Sequence, residues 1–340
     1  MRFVLKKQSL FLISIILCGC AVSQNGSTQP VENTRPPLTA VATMSSPANH
    51  ANELFLIDTP DQKHYVSDSS GSAMTQVDLP EYLQGIALSP NGRTVAYTPN
   101  ENPGLYLLDV STKKSVLLIS PARMRPGPGL AWSPDGQKIA FSCRVLGTSG
   151  LSLCLADVAG KDALQVLVKS ESLGASDILD GVYSPAWDRQ GQKIVFLSSN
   201  PTPYSGGKTV ATKDIWVFDF STQTAKRILS DDTEGITDIF DPVFLPDDNA
   251  ILFSGRREKY NTIFKYEINT QKLQDITATG NRYDIVDSIL SPDGKSLLVS
   301  VPSSQSSDPE YMPTIYSTDG QLLEQLSGLK NTQIHSWVLP

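Results

Sequence analysis

Apolar residues cluster along this chain in short runs of strand length, set in pairs around a polar turn, and one such pair recurs five times. Its clearest copy is WSPDGQKIAFS at 132–142; the others are LSPNGRTVAYT at 88–98, WDRQGQKIVFLS at 187–198, FLPDDNAILFSG at 244–255 and LSPDGKSLLVS at 290–300. Pro and Asn/Asp-Gly supply the turn, and the alternating apolar positions beside it predict half-buried strands. Aligned on the turn position, the copies fall at Pro90, Pro134, Arg189, Pro246 and Pro292, in steps of 44, 55, 57 and 46 residues. That is the length of a four-stranded propeller blade, with the excess in blades 2 and 3 carried by loops.

A second run follows each copy: LYLLDVS at 105–111, LSLCLADV at 151–158, IWVFDFS at 215–221, IFKYEIN at 263–269 and TIYSTDG at 314–320. Four of these place an aromatic three residues before an acid: Tyr106 with Asp109, Trp216 with Asp219, Phe264 with Glu267, and Tyr316 with Asp319. In blade 2, Cys154 takes the aromatic place before Asp157. IHSWVLP at 334–340 reads as a first strand that stops at the turn Pro, while ELFLIDT (53–59) and HYVSDSSG (64–71) read as later strands. The expected fold class is therefore all-β: a six-bladed β-propeller whose sixth blade is shared between the C-terminal and N-terminal strands, which closes the ring and leaves no open sheet edge.

Ala131-Trp132-Ser133-Pro134-Asp135-Gly136 and Pro185-Ala186-Trp187 resemble the P-x-W-S-P-D-G-x-x-I-A-F repeat of the TolB family of WD-type propellers, over residues 53–340. The resemblance implies the fold and, by analogy, a docking role in the bacterial envelope. TolB carries an α/β domain ahead of its propeller that this sequence has no room for, so the expectation is a TolB-like protein.

Arg2, Lys6 and Lys7 precede the apolar run Leu10–Leu17. This is the basic n-region and short h-region of a secretory signal, too short to span a bilayer. The sequence Leu17-Cys18-Gly19-Cys20 resembles a bacterial lipobox, and Cys20, with the small Gly19 before it, is the better candidate for acylation. Residues 1–19 thus read as a lipoprotein signal peptide, 20–52 as a lipidated N-terminus and disordered tether, and 53–340 as the propeller. The tether is rich in Ser, Thr, Pro, Asn and Gln and lacks the apolar surface that would offset its ordering entropy. In an envelope with two membranes, Ala21 in the place of a retention Asp favours the outer membrane, facing the periplasm.

Charge narrows the partners. The signal holds three of the 28 basic and none of the 35 acidic residues, so the remainder carries 25 against 35, a formal charge of −10. That disfavours a phosphate backbone, and no nucleic-acid partner is expected. Cys143 and Cys154 fall on neighbouring strands of blade 2, where they are either disulfide-bonded, as an exported protein allows, or two buried thiols.

Catalytic signatures are missing: there is no G-x-S-x-G, no H-E-x-x-H and no Walker-type loop, and only three histidines, His50, His64 and His335. One arrangement carries chemistry. Five residues before the turn Pro, blades 4, 5 and 6 hold Asp241, Asp287 and His335, where blades 1 and 2 hold Gly85 and Gly129. These positions enter the innermost strands, at one mouth of the channel. Two carboxylates and an imidazole there would suit a divalent cation; alternatively the aspartates tie backbone N–H groups and His335 is a polar residue of the closing strand. Apart from that cation no cofactor is expected. A related D-I-x-D pattern adds Asp177 with Asp180, Asp238 with Asp241, and Asp284 with Asp287, the first pair out of register with the others. The long segments Ser120–Gly129, Ser199–Lys213, Ser230–Asp241 and Val301–Pro313 fall on the same side of the ring, opposite the S-P-D-G turns, and long loops on a rigid scaffold are where binding concentrates. The expected function is a monomeric, membrane-anchored binding module for a protein or envelope polymer; the alternative is a propeller hydrolase or lyase acting on sugar or peptide through the channel-mouth acids.

Overall fold

The computed structural model describes residues 52–174, 181–204, 208–230, 235–257, 260–276, 286–302 and 310–340. Their strands form six four-stranded antiparallel sheets. Blade 1 is Leu83–Leu88, Thr94–Pro99, Leu105–Asp109 and Ser115–Ile119, counted from the channel outward. Blades 2 to 5 repeat this order, with innermost strands Met124–Trp132, Gly181–Trp187, Ile236–Phe244 and Val286–Leu290. Blade 6 takes its innermost strand, Gln333–Val338, from the end of the chain and its others, Leu54–Asp58, His64–Asp68 and Met74–Val77, from the beginning. The innermost strands touch in succession round the channel, and Gln333–Val338 touches those of both blade 5 and blade 1. Among the described residues no helix is long and apolar enough to cross a membrane.

Each pair of neighbouring blades encloses its own apolar cluster. Between blades 1 and 2 it is built on Leu105, Ile119, Met124 and Phe141; between blades 5 and 6 on Phe55, Ile315, Ile334 and Trp337; between blades 6 and 1 on Leu56, Val95, Leu108 and Val338. Alternation in the sequence predicts half-buried strands, but the second strands are covered on both faces, as in Thr94–Pro99 and Ala250–Arg257. A propeller sheet has a neighbour on each side, so its middle strands become continuous apolar runs.

The repeated residues hold the ring through hydrogen bonds. Trp132 Nε1 donates to the Ala87 carbonyl of the preceding blade at 3.1 Å, and Trp187 Nε1 does the same to Ala131 at 3.2 Å. In the turn, Asp135 accepts from the Gln137 N–H and Ser133 Oγ accepts from the Lys138 N–H; the Ser89/Asn91 and Ser291/Asp293 turns repeat this pattern. The acid of the second motif caps the outer turn. Asp109 accepts from Ser111 and from the Thr112 N–H, and these bonds lower its carboxyl to about 2.

Two of the expected long loops are largely strand. In blade 3, Lys193–Tyr204 and Lys208–Asp219 stay paired out to Tyr204↔Lys208. The inner neighbour begins only at Gly181↔Ser199 and the outer one ends at Ile215↔Leu229. Among the described residues, the hairpin from Asn200↔Thr212 onward is thus a two-stranded arm that extends past the paired part of its own blade. The segment Ser120–Gly129 likewise enters strand at Met124. Its Pro126-Gly127-Pro128-Gly129 reads as loop because Pro and Gly break ladders, yet a register shift between Pro126 and Leu130 accommodates it inside the strand. Residues 231–234 and 303–309, within the other two segments, lie outside the described residues.

Candidate functional site

The position five residues before the turn Pro has one structural meaning in every blade: it sits at an irregularity of the innermost ladder. The register shifts between Leu83 and Gly85, Pro126 and Leu130, Tyr183 and Ala186, Phe240 and Val243, and Val286 and Ser288. In blade 6 His335 is skipped between Ser336↔Leu56 and Ile334↔Ile57. Such bulges re-aim side chains at the rim of a sheet. The backbone is left-handed at Gly129 (φ 99°), Ser184 (φ 44°) and Asp241 (φ 46°), which suits Gly and Asp and explains part of their recurrence there.

Blades 2, 3 and 4 meet closely at this level. A Cβ on Gly129 would lie 2.7 Å from the Ser184 nitrogen, and Ser184 Oγ donates to Asp241 Oδ1 at 3.1 Å. Ser184 was not singled out by the sequence; its place in the five-before-Pro register was the available signal. Asp238 pairs with Arg256 at 3.5 Å, and Phe240, 38 % exposed, lies under the Lys213 ammonium, 3.7 Å from the ring centroid. Lys213 stands at the foot of the blade 3 arm. The described mouth at blades 3 and 4 is therefore of mixed charge, with an exposed aromatic between arm and acids.

His335 is paired within blade 6. Its Nε2 lies 2.9 Å from Asp58 Oδ2, and the other carboxylate oxygen meets His64 Nδ1 at 2.5 Å. His64 and Asp58 were missed as partners because nothing in the repeat marks them. Burial alone would raise the Asp58 carboxyl; hydrogen bonds and charge from His335 and His64 outweigh it and hold the group well below the carboxylate range. Burial likewise acts to lower His64, but Asp58 and the Pro80 carbonyl carry its value upward.

Asp287 is skipped at the register shift of the blade 5 ladder, with its side chain outside the described residues; Cys20, Asp177, Asp180 and Asp284 also lie outside them. Among the described residues no three His, Cys, Asp or Glu converge as a metal-binding group. Cys143 and Cys154 are disulfide-bonded across the second and third strands of blade 2, with Cα atoms 5.9 Å apart, and both are fully buried.

The fold is similar to that of TolB from Acinetobacter baumannii, with a TM-score of 0.59 and 17% identity over 85% of this chain and 65% of that one. This chain thus spans just under two thirds of that protein's length. A protein described as TolB from Agrobacterium tumefaciens matches at TM-score 0.58 and 16% identity, over 81% of this chain and 88% of the other. An oligogalacturonate lyase in complex with manganese matches at TM-score 0.54 and 13% identity, covering 76% and 69%. No protein-family model and no curated protein matches the sequence.

Proposed function

We propose that this TolB-like propeller is the binding head of an exported lipoprotein, acylated at Cys20, tethered through residues 20–52, and docking a protein or envelope polymer on its arm-bearing face. The observation that supports the binding role most is the arm of blade 3 rising beside the exposed Phe240 and Lys213 pair. A two-stranded projection next to an exposed aromatic offers backbone and apolar area to a partner at once. The structural likeness to TolB proteins supports the same reading. The alternative, a hydrolase or lyase, would work through the channel-mouth acids, of which Asp241 accepts a hydrogen bond from Ser184.

Replacing residues 201–211 with a two-residue Asn-Gly turn should leave the melting temperature unchanged and reduce retention of envelope components on the immobilised chain at least about tenfold, the loss of a single interface anchor. Phe240→Ala should act in the same direction. If both variants retain the same components as the parent chain, the binding face is elsewhere.

Metabolic labelling with palmitate should mark the wild-type chain and leave Cys20→Ala unlabelled and released from the membrane fraction. Undiminished labelling of the variant would remove the anchor from this account.

A further inference from the structure

On the face opposite the arm, blade 3 departs from the repeat at two places. Two residues past the innermost strand every other blade has proline, at Pro90, Pro134, Pro246, Pro292 and Pro340, where blade 3 has Arg189. The second place lies in the outer turn. Phe220 donates its N–H to the Gln192 carbonyl at 3.0 Å, the bond that Val110, Val158, Ile268 and Thr318 make in the other continuous blades. Those four side chains satisfy the fold without an aromatic ring, so the fold does not ask for one at Phe220.

Both departures line one cleft of about 490 Å³ between blades 2 and 3, together with Trp187 and, from blade 2, Asp135 and Lys138. Ligand clefts run from roughly 300 to 1,000 Å³. Trp187 and Phe220 are stacked, with ring centroids 5.4 Å apart and planes 4° from parallel. Buried Phe218 meets Phe220 edge-on at 5.1 Å, and the Trp187 indole is fixed by its bond to the Ala131 carbonyl. The two rings are thus held in place by the protein alone, and each is only partly buried. Arg189 and Lys138 are exposed. Lys138 is in no salt bridge among the described residues, and Arg189 makes a single hydrogen bond, to the Asp293 carbonyl at 3.4 Å, which leaves most of its N–H donors for other partners. Asp135, the one carboxylate of the wall, is committed to its own turn through Ser133 Oγ and the Gln137 N–H.

We propose that this cleft binds an acidic saccharide, with the sugar ring stacked on the Trp187 and Phe220 pair and its carboxylate met by Arg189 and Lys138. The C–H face of a sugar is apolar and complements the negative face of an aromatic ring. Arginine matches a carboxylate with a fork of parallel N–H groups, and lysine adds a point charge. A neutral sugar would forfeit those contacts. An aromatic acid carries its charge at one end, whereas the two cations come from different blades and suit a ligand with oxygens spread around a ring. The cleft is on the other face from the arm and Phe240, and neither site depends on the other.

Titration calorimetry of the full chain in detergent with a hexamer of mannuronic acid should show saturable binding with a Kd of about 1 mM or tighter, weakening as salt rises. The matching hexamer of mannose, which differs only in having no carboxylates, should bind about tenfold more weakly or not detectably. Phe220→Val and Arg189→Pro restore residues found at these places in other blades, so both should melt close to the parent. Mannuronate binding should nonetheless weaken about threefold or more in the first and about tenfold or more in the second. Should Arg189→Pro fail to fold, Lys138→Gln, at an exposed position, tests the cationic half by the same readout. Replacing residues 201–211 should leave mannuronate binding unchanged. The proposal is overturned if the mannuronate hexamer shows no saturable binding, if the mannose hexamer binds as tightly, or if the folded cleft variants bind as the parent does. Loss of mannuronate binding in the arm variant would place the saccharide on the opposite face and overturn it as well.

Discussion

A chain ending at Thr332 is expected to lose the cooperative unfolding transition of the entire propeller. The missing residues 333–340 contain the innermost strand of blade 6, which pairs along Leu54–Asp58 and places Ile334 and Trp337 in the cluster shared with blade 5 and Val338 in the cluster shared with blade 1. Burial of three such side chains contributes about 1.5–3 kcal/mol each, which together is comparable with the whole stability of a typical domain. Ser336 Oγ also accepts from the buried Leu88 N–H at 3.0 Å, and that donor would be left unsatisfied. Both blade 5 and blade 1 would expose apolar faces. Calorimetry checks this: a truncated chain that melts in one sharp transition within a few degrees of the parent would show that the ring does not depend on its closing strand.

Asp58→Asn should be strongly destabilising, by about 2–4 kcal/mol near neutral pH, because it leaves His64 and His335 without the carboxylate they share. The pH dependence follows from the signs. Asp58 is held below its ordinary value of 3.8, so its contribution is present above that value and fades as pH falls through the lower folded one. His64 is held above 6.5, so its contribution is complete below 6.5 and fades as pH rises through the higher folded value. Wild-type stability should therefore carry a plateau in mild acid and decline toward alkaline pH. In the Asn variant His64 loses its charged partner, and the alkaline decline should shrink. Melting curves taken across that range for the two proteins decide the matter; parallel curves would mean that the shared carboxylate contributes nothing to closure.

The architecture was legible because propeller repeats write the same physical need into each blade. Turn residues, an inter-blade Trp and an acid that caps the outer turn recur at fixed offsets, so a local pattern reports a global arrangement. The split sixth blade could be read for the same reason, from a strand without its turn at one end and turns without their strand at the other. What could not be read depends on contacts between blades or between the ends of the chain. Asp58 and His64 face each other across one local hairpin, but His335 joins them only once the ring is closed. Ser184 has no chemistry of its own until Asp241 is set opposite it by the blade 3–4 contact. The arm escaped because Pro201 and Pro203 signal loop, although each keeps its place opposite Ala211 and Thr209 in the hairpin. The register of the D-I-x-D pattern was visible, but the Arg256 partner that offsets Asp238 lies on the next strand, out of reach of a local motif.

The shared blade also sets an order of events during synthesis and export. Strands Leu54–Asp58, His64–Asp68 and Met74–Val77 are the first of the ring to be made, and the strand that completes their sheet is the last. Until residue 338 arrives, the edge of Leu54–Asp58 is open and the apolar faces of two blades await a neighbour, the condition in which sheet proteins pair with the wrong partner. A ring joined by its two ends has high contact order and folds slowly for that reason. Blades 1 to 5 can form in turn as the chain emerges, but the ring can lock only after Gln333–Val338 has been made. Nascent chains are thus exposed until that strand is made, and holdase chaperones would act most usefully on residues 54–77, the segment with the longest wait for its partner.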